Sequence, residues 1–136
     1  MIRARRALLY MPGDDLHKIT KAPTLGVDCI CMDMEDGVAI NRKIAARQTI
    51  AEALGSIDFG RSERLARINP VGSEYWQEDL ETVLPAHPDG IVIPKVEHPD
   101  HIRLASSVIS RLETKNGFLE GSTAILAIVE SAKGII

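Results

Sequence analysis

Short apolar runs and amphipathic segments alternate along the whole chain. Each apolar run ends in turn-forming or charged residues, as expected for a buried strand. We predict strands over residues 7–11, 28–34, 64–68, 90–94 and 123–129. The segments between them carry apolar residues at helical spacing. The first helix is predicted to begin at Asp14 or Asp15 and to end by Gly26, and the others cover residues 44–54, 75–84 and 102–112.

Strand and helix alternate throughout, which indicates an α/β fold with a parallel sheet and right-handed crossovers. A (β/α)8 TIM barrel needs about 250 residues. We therefore interpret residues 1–136 as one partial domain, the N-terminal part of such a barrel, with four βα units, a fifth strand and the C-terminal half absent. A doubly wound open sheet of five strands is the alternative. That fold would normally cover its last strand with a helix, and the pattern shows none after residue 129.

The composition mainly argues against certain classes of partner. The chain has 16 Lys and Arg against 19 Asp and Glu, a net charge of −3, and its basic residues are scattered, so we expect no nucleic-acid partner. No apolar run approaches the roughly 18 residues that cross a bilayer, and the N-terminus does not resemble a signal peptide. We therefore expect no membrane partner and a cytoplasmic location. Cys29 and Cys31, two apart on a strand, are predicted to be reduced core residues.

Candidate chemistry lies at the carboxyl ends of the predicted strands, where parallel α/β folds bind ligands. The residues there are charged or hydrogen-bonding: Tyr10 with Pro12 and Gly13, Glu35 with Asp36, Arg67 with Asn69, Lys95 with Glu97, and Glu130. Glu130 ends an apolar strand, a position at which such folds place a metal ligand or a catalytic acid.

Two of these residues are cations that need partners. Arg67 lies between apolar residues, so its guanidinium requires a bidentate carboxylate, supplied either by a protein acid such as Glu35 or by a substrate. Lys95 is either a Schiff-base nucleophile or a member of an ion pair. Its candidate ion-pair partners are Glu35, Asp36 and Glu97.

Three acids crowd the end of the second predicted strand: Asp33, Glu35 and Asp36. Such crowding raises carboxyl pKa values unless a cation neutralises it. A bound Mg²⁺ with oxygen ligands is one solution. The alternative is that Asp33 and Asp36 cap turns and pair with Lys43 or Arg47.

His17 and Lys21 are four residues apart on the first predicted helix and therefore share one face. That face either grips a phosphate or phosphopantetheine-type tail or is an exposed helix face with no ligand. The other histidines lack the spacing of metal ligands, and we assign them no role.

Five segments lie in an order and spacing that cover the whole chain: RALLYMPG at 6–13, DMEDGV at 33–38, RIN at 67–69, IPKVE at 93–97 and IVESAKG at 128–134. Together they resemble the citrate lyase β-subunit branch of the HpcH/HpaI aldolase family. Within that branch the chain is most similar to the citramalyl-CoA and malyl-CoA lyase-like proteins. The resemblance implies a TIM barrel, usually a trimer, that uses Mg²⁺ to cleave or form a carbon–carbon bond in acyl-CoA substrates.

The resemblance also implies roles for individual residues. Glu130 would be the first metal ligand and would lie against the substrate, and Arg67 would hold the carboxylate or carbonyl of the substrate. The implied catalytic residues are Arg67, Asp36 and Glu35, with Asp36 positioning water or a base. The implied substrate contacts are Tyr10, His17, Lys21, Arg67, Lys95 and Glu130, with Lys95 acting by ion pairing.

In the family, a second metal ligand and a C-terminal acid would lie beyond residue 136. We therefore expect this chain alone to bind Mg²⁺ poorly, because that ion prefers octahedral coordination.

The predicted function is a Mg²⁺-dependent carbon–carbon lyase that cleaves a 3-hydroxyacyl-CoA of the malyl-CoA or citramalyl-CoA type by a retro-Claisen reaction, with the fragment inactive alone. One alternative is the citryl-carrier-protein lyase subunit of citrate lyase, which acts on an acyl-carrier substrate. Another is a non-catalytic half-barrel whose open sheet edges are covered by a partner. The acyl group of the substrate is not specified by these residues.

Overall fold

The computed structural model describes residues 2–136. Its five strands are β1 Leu8–Pro12, β2 Cys29–Asp33, β3 Glu63–Arg67, β4 Gly90–Ile93 and β5 Ala124–Ala127. Its five α-helices are α1 Leu16–Lys21, α2 Lys43–Ser56, α3 Trp76–Val83, α4 Pro99–Lys115 and α5 Ala132–Ile135. Short 3₁₀ turns cover Ala22–Leu25, Ile40–Arg42 and Leu84–Ala86.

The strands form one parallel sheet in the order β1-β2-β3-β4-β5. A doubly wound sheet reverses its strand order at a switch point, which is where it binds ligands. Strictly sequential order is instead that of a (β/α)8 barrel. The order therefore excludes the doubly wound alternative and confirms the barrel interpretation.

Two helices differ from the sequence prediction. Helix α4 begins at Pro99 rather than at residue 102, because the His98 side chain accepts a hydrogen bond from Asp100 N (3.1 Å) and proline is tolerated in a first helical turn. Helix α5 follows β5 although no helix was expected there. It is a single turn capped by Ser131, whose Oγ accepts from Gly134 N, and one turn is too short to show helical periodicity.

The two faces of the sheet bury different residues, because successive side chains in a strand point to opposite sides. One face packs against the helices and contributes the larger core, with Ile30, Met32, Ala66, Ile91 and Ile93 fully buried. The other face carries a smaller apolar cluster of Cys29, Cys31, Leu65 and Val92. Both cysteines are buried and unbridged, and burial raises the pKa of the Cys31 thiol. Within residues 2–136 we find no helix both long and apolar enough to cross a membrane.

Candidate functional site

Arg67 and Asp33 form a bidentate ion pair where β2 and β3 end. The two residues are partners in the parallel register. Arg67 Nε lies 2.8 Å from Asp33 Oδ1, and Arg67 Nη2 lies 2.7 Å from Oδ2. Asp33 is buried and Arg67 nearly so, with 3% and 14% of their side chains exposed. The partner is a protein acid, one of the two alternatives, but it is Asp33 rather than Glu35, because the strand register places Asp33 opposite Arg67.

Asp33 also organises the turn that follows β2. Its Oδ1 accepts a hydrogen bond from Glu35 N (2.9 Å) and its Oδ2 accepts one from Gly37 N (2.8 Å). A Cβ at position 37 would lie only 2.6 Å from Asp33 Oδ2, so only glycine allows this close approach. Burial alone would raise the pKa of Asp33, but the bonds from Arg67 and these two amides outweigh it and hold that pKa below its usual range. The same ion pair raises the pKa of Arg67.

Glu35 is a buried carboxylate that lies between two cations. Its Oε1 is 3.5 Å from Arg67 Nη1, and its Oε2 is 2.9 Å from Lys95 Nζ. Only 3% of its side chain is exposed, and among the described residues neither oxygen has a partner in hydrogen-bond geometry. The charge of Glu35 is therefore balanced by ion pairs alone.

Lys95 connects the ends of β2, β4 and β5. Its Nζ pairs with Glu35 and also lies 3.5 Å from Asp36 Oδ1, while its backbone N donates to Glu130 Oε1 at 3.1 Å. The contact with Glu35 raises the pKa of the Lys95 ammonium. A raised pKa keeps the amine protonated, and a protonated amine is not a nucleophile. The geometry thus favours the ion-pair alternative over the Schiff base.

Tyr10 and Glu130 complete the cluster from β1 and from the segment after β5. The Tyr10 ring lies under the Arg67 guanidinium, with 4.5 Å between Cζ and the ring centroid, a cation–π contact. Burial raises the pKa of the Tyr10 hydroxyl. Glu130 is exposed, and only its Oε1 is hydrogen-bonded within residues 2–136.

His17 and Lys21 lie apart from this cluster. Both are exposed on α1, and within the part of the chain that the structure describes neither forms an ion pair or a side-chain hydrogen bond with the strand-end residues. Asn69 lies elsewhere too. It is buried and donates both its backbone and side-chain N–H groups to Asp79 Oδ2 (2.9 and 2.8 Å), which supports α3.

The basic residues Lys43 and Arg47 do not pair with the acids that follow β2. Lys43 Nζ instead donates to the backbone carbonyls of Met34 and Glu35, at 2.9 Å each. Arg47 binds Asp79 and Glu78 on α3. The structure agrees with the prediction that Asp33 caps a turn. It does not agree with the prediction that Asp33 pairs with Lys43 or Arg47.

The donor set fits Mg²⁺ only in part. Glu130 offers a free carboxylate oxygen at the open edge of the cluster, which is the ligand type that the ion prefers. Across residues 2–136, however, no group of three or more His, Cys, Asp or Glu side chains is arranged to hold a metal ion. Within residues 2–136, Glu130 therefore offers a single oxygen donor rather than a complete set of ligands.

A cavity lies at the opposite end of the sheet, where the strands begin. It has a volume of about 620 Å³, and its lining includes Arg6, Asp28, Arg64 and Asp89. These charges neutralise one another, with 2.9 Å between Arg6 and Asp28 and 3.2 Å between Arg64 and Asp89. The amino ends of barrel strands serve stability rather than chemistry, so this cavity is not the candidate site.

Comparison with known proteins gives a consistent result. Residues 6–136 match the family model described as HpcH/HpaI aldolase/citrate lyase. The chain is 46% identical to the mitochondrial citramalyl-CoA lyase of Mus musculus (97% of this chain, 39% of the relative). It is 34% identical to citrate lyase subunit beta of Leuconostoc mesenteroides subsp. cremoris (98% and 44%).

A solved structure agrees with the sequence relatives. The crystal structure of protein CitE from Mycobacterium tuberculosis in complex with magnesium, acetoacetate and coenzyme A aligns with a TM-score of 0.67 at 27% identity, covering 96% of this chain and 43% of that one. The chain therefore spans less than half the length of the proteins it matches.

Proposed function

The chain belongs to the HpcH/HpaI aldolase/citrate lyase family, and on that premise we propose that it carries part of the active site of a Mg²⁺-dependent carbon–carbon lyase. The substrate is a 3-hydroxyacyl-CoA of the malyl-CoA or citramalyl-CoA type. The relative of highest identity described above is named for the second of these activities.

The observation that carries the proposal is how Arg67 is held in place and which of its N–H donors remain unused. Asp33 occupies its Nε and Nη2, and Tyr10 supports one face of the guanidinium. Its Nη1 lies 3.5 Å from Glu35, too far for a strong hydrogen bond. A rigid cation with unused donors at the carboxyl end of a barrel sheet is suited to bind a carboxylate or a carbonyl oxygen.

Cleavage breaks the bond between the carbon that bears the hydroxyl and the α-carbon of the thioester. The hydroxyl loses its proton, a carbonyl forms on that carbon, and the electron pair passes to the thioester as an enolate, which then takes up a proton. Arg67 stabilises negative charge on oxygen during this step, and its geometry is fixed before the reaction begins. Mg²⁺ would supply Lewis-acid polarisation of a substrate oxygen, with Glu130 as one ligand.

The remaining residues take supporting roles. Asp36, with 70% of its side chain exposed, receives the hydroxyl proton directly or through water. Glu35 keeps Arg67 and Lys95 charged and in place. His17 and Lys21 on α1 contact the CoA portion of the substrate.

Citryl cleavage as a citrate lyase β-subunit is the second candidate, because a relative with that name covers nearly the whole chain. The two candidates share the chemistry at Arg67 and differ in the thioester carrier. A CoA thioester supports the first and an acyl-carrier-protein thioester the second. We expect a homo-oligomer, with a trimer as the family precedent. If no thioester is cleaved, the result supports the alternative of a non-catalytic half-barrel.

The test uses the protein purified as its gene encodes it. We measure Mg²⁺-dependent release of pyruvate from citramalyl-CoA and of glyoxylate from malyl-CoA. Arg67→Lys is expected to reduce kcat by about 100-fold or more, because lysine cannot keep the bidentate contact with Asp33 and still offer a donor. Glu130→Gln is expected to weaken the response to Mg²⁺.

Matched controls are Arg64→Lys, an ion-paired arginine at the other end of β3, and Glu120→Gln, an exposed acid in the loop before β5. Full activity of Arg67→Lys would contradict the role of Arg67. An unchanged Mg²⁺ response in Glu130→Gln would contradict the role of Glu130.

A further inference from the structure

Lys95 has an unusual backbone conformation. Within residues 2–136 only two non-glycine residues have positive φ, His87 at 55° and Lys95 at 51°. His87 ends the 3₁₀ turn Leu84–Ala86, a place where left-handed residues are common. Lys95 instead lies two residues after the end of β4, beyond Pro94, and belongs to no helix end. Left-handed backbone is unfavourable for a side chain such as lysine and, when it occurs, is concentrated at functional sites.

The conformation lets one residue contact two carboxylates that arrive from different strands. The backbone N–H of Lys95 points to Glu130 Oε1 (3.1 Å), and its side chain reaches Glu35 Oε2 (2.9 Å). The neighbouring amide of Val96 donates to the Ile128 carbonyl (3.0 Å), which keeps the segments after β4 and β5 together. The Lys95 N–H therefore donates to a side chain, while the Val96 N–H keeps the backbone hydrogen bond between the two segments.

The side-chain contact has a distinct purpose. Glu35 is buried, and within the described part of the chain its oxygens have no partner in hydrogen-bond geometry, so it depends on nearby positive charge. Lys95 supplies that charge from a side chain that is 48% exposed. Loss of the backbone contact would remove the hydrogen bond to Glu130, and loss of the side-chain contact would leave Glu35 with only its longer contact to Arg67 (3.5 Å).

We propose that Lys95 is a positioning residue: its left-handed backbone fixes Glu130 through the N–H, and its ammonium fixes Glu35 beside Arg67. The inference rests on the proposed function only for the chemical use of Glu130 and Arg67. It assigns Lys95 no contact with the reacting atoms.

The test separates the backbone contact from the side-chain contact with three variants of Lys95, and a fourth, Lys95→Arg, keeps the charge. Lys95→Gly accepts positive φ and loses the ammonium. Lys95→Val also loses the ammonium, and its β-branched side chain resists positive φ. Lys95→Met keeps most of the length of the side chain without the charge.

The first readout is the amide signal of residue 95 in ¹H–¹⁵N NMR spectra of the purified protein, recorded with and without Glu130→Gln. In the wild type and in Lys95→Gly, Glu130→Gln is expected to shift this signal upfield, because the acceptor loses its charge. In Lys95→Val the signal is expected to be insensitive to Glu130→Gln. Insensitivity in the wild type, or equal sensitivity in all variants, would overturn the backbone half of the proposal.

The second readout is the division of the effect between kcat and KM. Lys95→Met and Lys95→Gly are expected to lower kcat by about tenfold or more, as removal of supporting residues does at other sites, with KM nearly unchanged and with recovery in Lys95→Arg. An unchanged kcat in an active protein would overturn the side-chain half. If the protein has no lyase activity, the proposed function fails, and the side-chain half of the Lys95 proposal is tested by NMR instead. A shift of the Arg67 Nε–H signal in Lys95→Met supports that half, and no shift overturns it.

Discussion

Asp33→Asn tests the central feature of the site, the pairing of a buried carboxylate with Arg67. Asp33 accepts from Arg67 Nε and Glu35 N at one oxygen, and from Arg67 Nη2 and Gly37 N at the other. An asparagine has one oxygen and one NH₂ group. Whichever way the amide is oriented, one arginine N–H and one backbone N–H lose their acceptor and face a donor.

The cost follows from these two losses. A lost hydrogen bond to a charged group and an unsatisfied backbone N–H each cost about 1–3 kcal/mol, and breaking a buried ion pair costs about 3–5 kcal/mol in all. We therefore expect Asp33→Asn to lower the free energy of unfolding at pH 7 by about 3–5 kcal/mol, measured by urea denaturation. The control Asp36→Asn changes an acid with 70% of its side chain exposed and is expected to stay within about 0.5 kcal/mol of wild type.

The pH dependence gives the same prediction a second check. The pKa of Asp33 is held below its ordinary value of 3.8, so its contribution is fully present above that value and is lost as pH falls through the folded-state pKa. The asparagine of the variant does not titrate, and the difference in unfolding free energy between wild type and variant should therefore narrow below about pH 4. A difference smaller than about 1 kcal/mol at pH 7, or one that stays constant from about pH 7 to pH 3, would refute the reasoning.

Two further predictions concern buried acids outside the candidate site, both read from chemical denaturation. Asp79→Ala should lower the free energy of unfolding by about 3–5 kcal/mol, because it leaves Arg47 (2.7 Å) and both N–H groups of Asn69 without their buried acceptor; an effect below about 1 kcal/mol would contradict this. Glu113→Gln should cost about 1–3 kcal/mol, because this buried carboxylate accepts from the amides of Gly121 and Thr123 in the turn before β5, whereas the exposed Glu120→Gln should be neutral.

The fold was largely predictable because its signals are local. Each strand is a short apolar run bounded by turn-forming or charged residues, and the alternation with helices is enough to indicate a parallel sheet. The prediction was weaker where local signals are weak. Helix α5 has only one turn, and the start of α4 depends on a cap by His98 that is unusual among N-cap residues.

Which side chains meet at the carboxyl ends of the strands was predictable, and their pairings were less so. The need of Arg67 for a bidentate carboxylate follows from its apolar neighbours. The identity of that carboxylate depends on the register of β2 and β3, which is set by contacts between residues far apart in sequence. The available signal was that Asp33 and Arg67 are each the second-to-last residue of a predicted strand, so aligning the ends of the two predicted strands would have paired them. No local signal indicated the left-handed conformation of Lys95, because glycine or asparagine usually occupies such positions.

The distribution of charge bears on where a metal would bind. The sequence shows three acids close together after β2, and a metal ion was one way to neutralise them. The structure neutralises two of them with protein cations: Asp33 with Arg67, and Glu35 with Lys95 and Arg67. The third, Asp36, is exposed to water. Within the described residues, the acids that follow β2 therefore leave no buried negative charge that requires Mg²⁺. The expectation of a metal rests instead on Glu130. Within residues 2–136 it is the one strand-end carboxylate of the cluster that keeps a free oxygen and faces no side-chain cation.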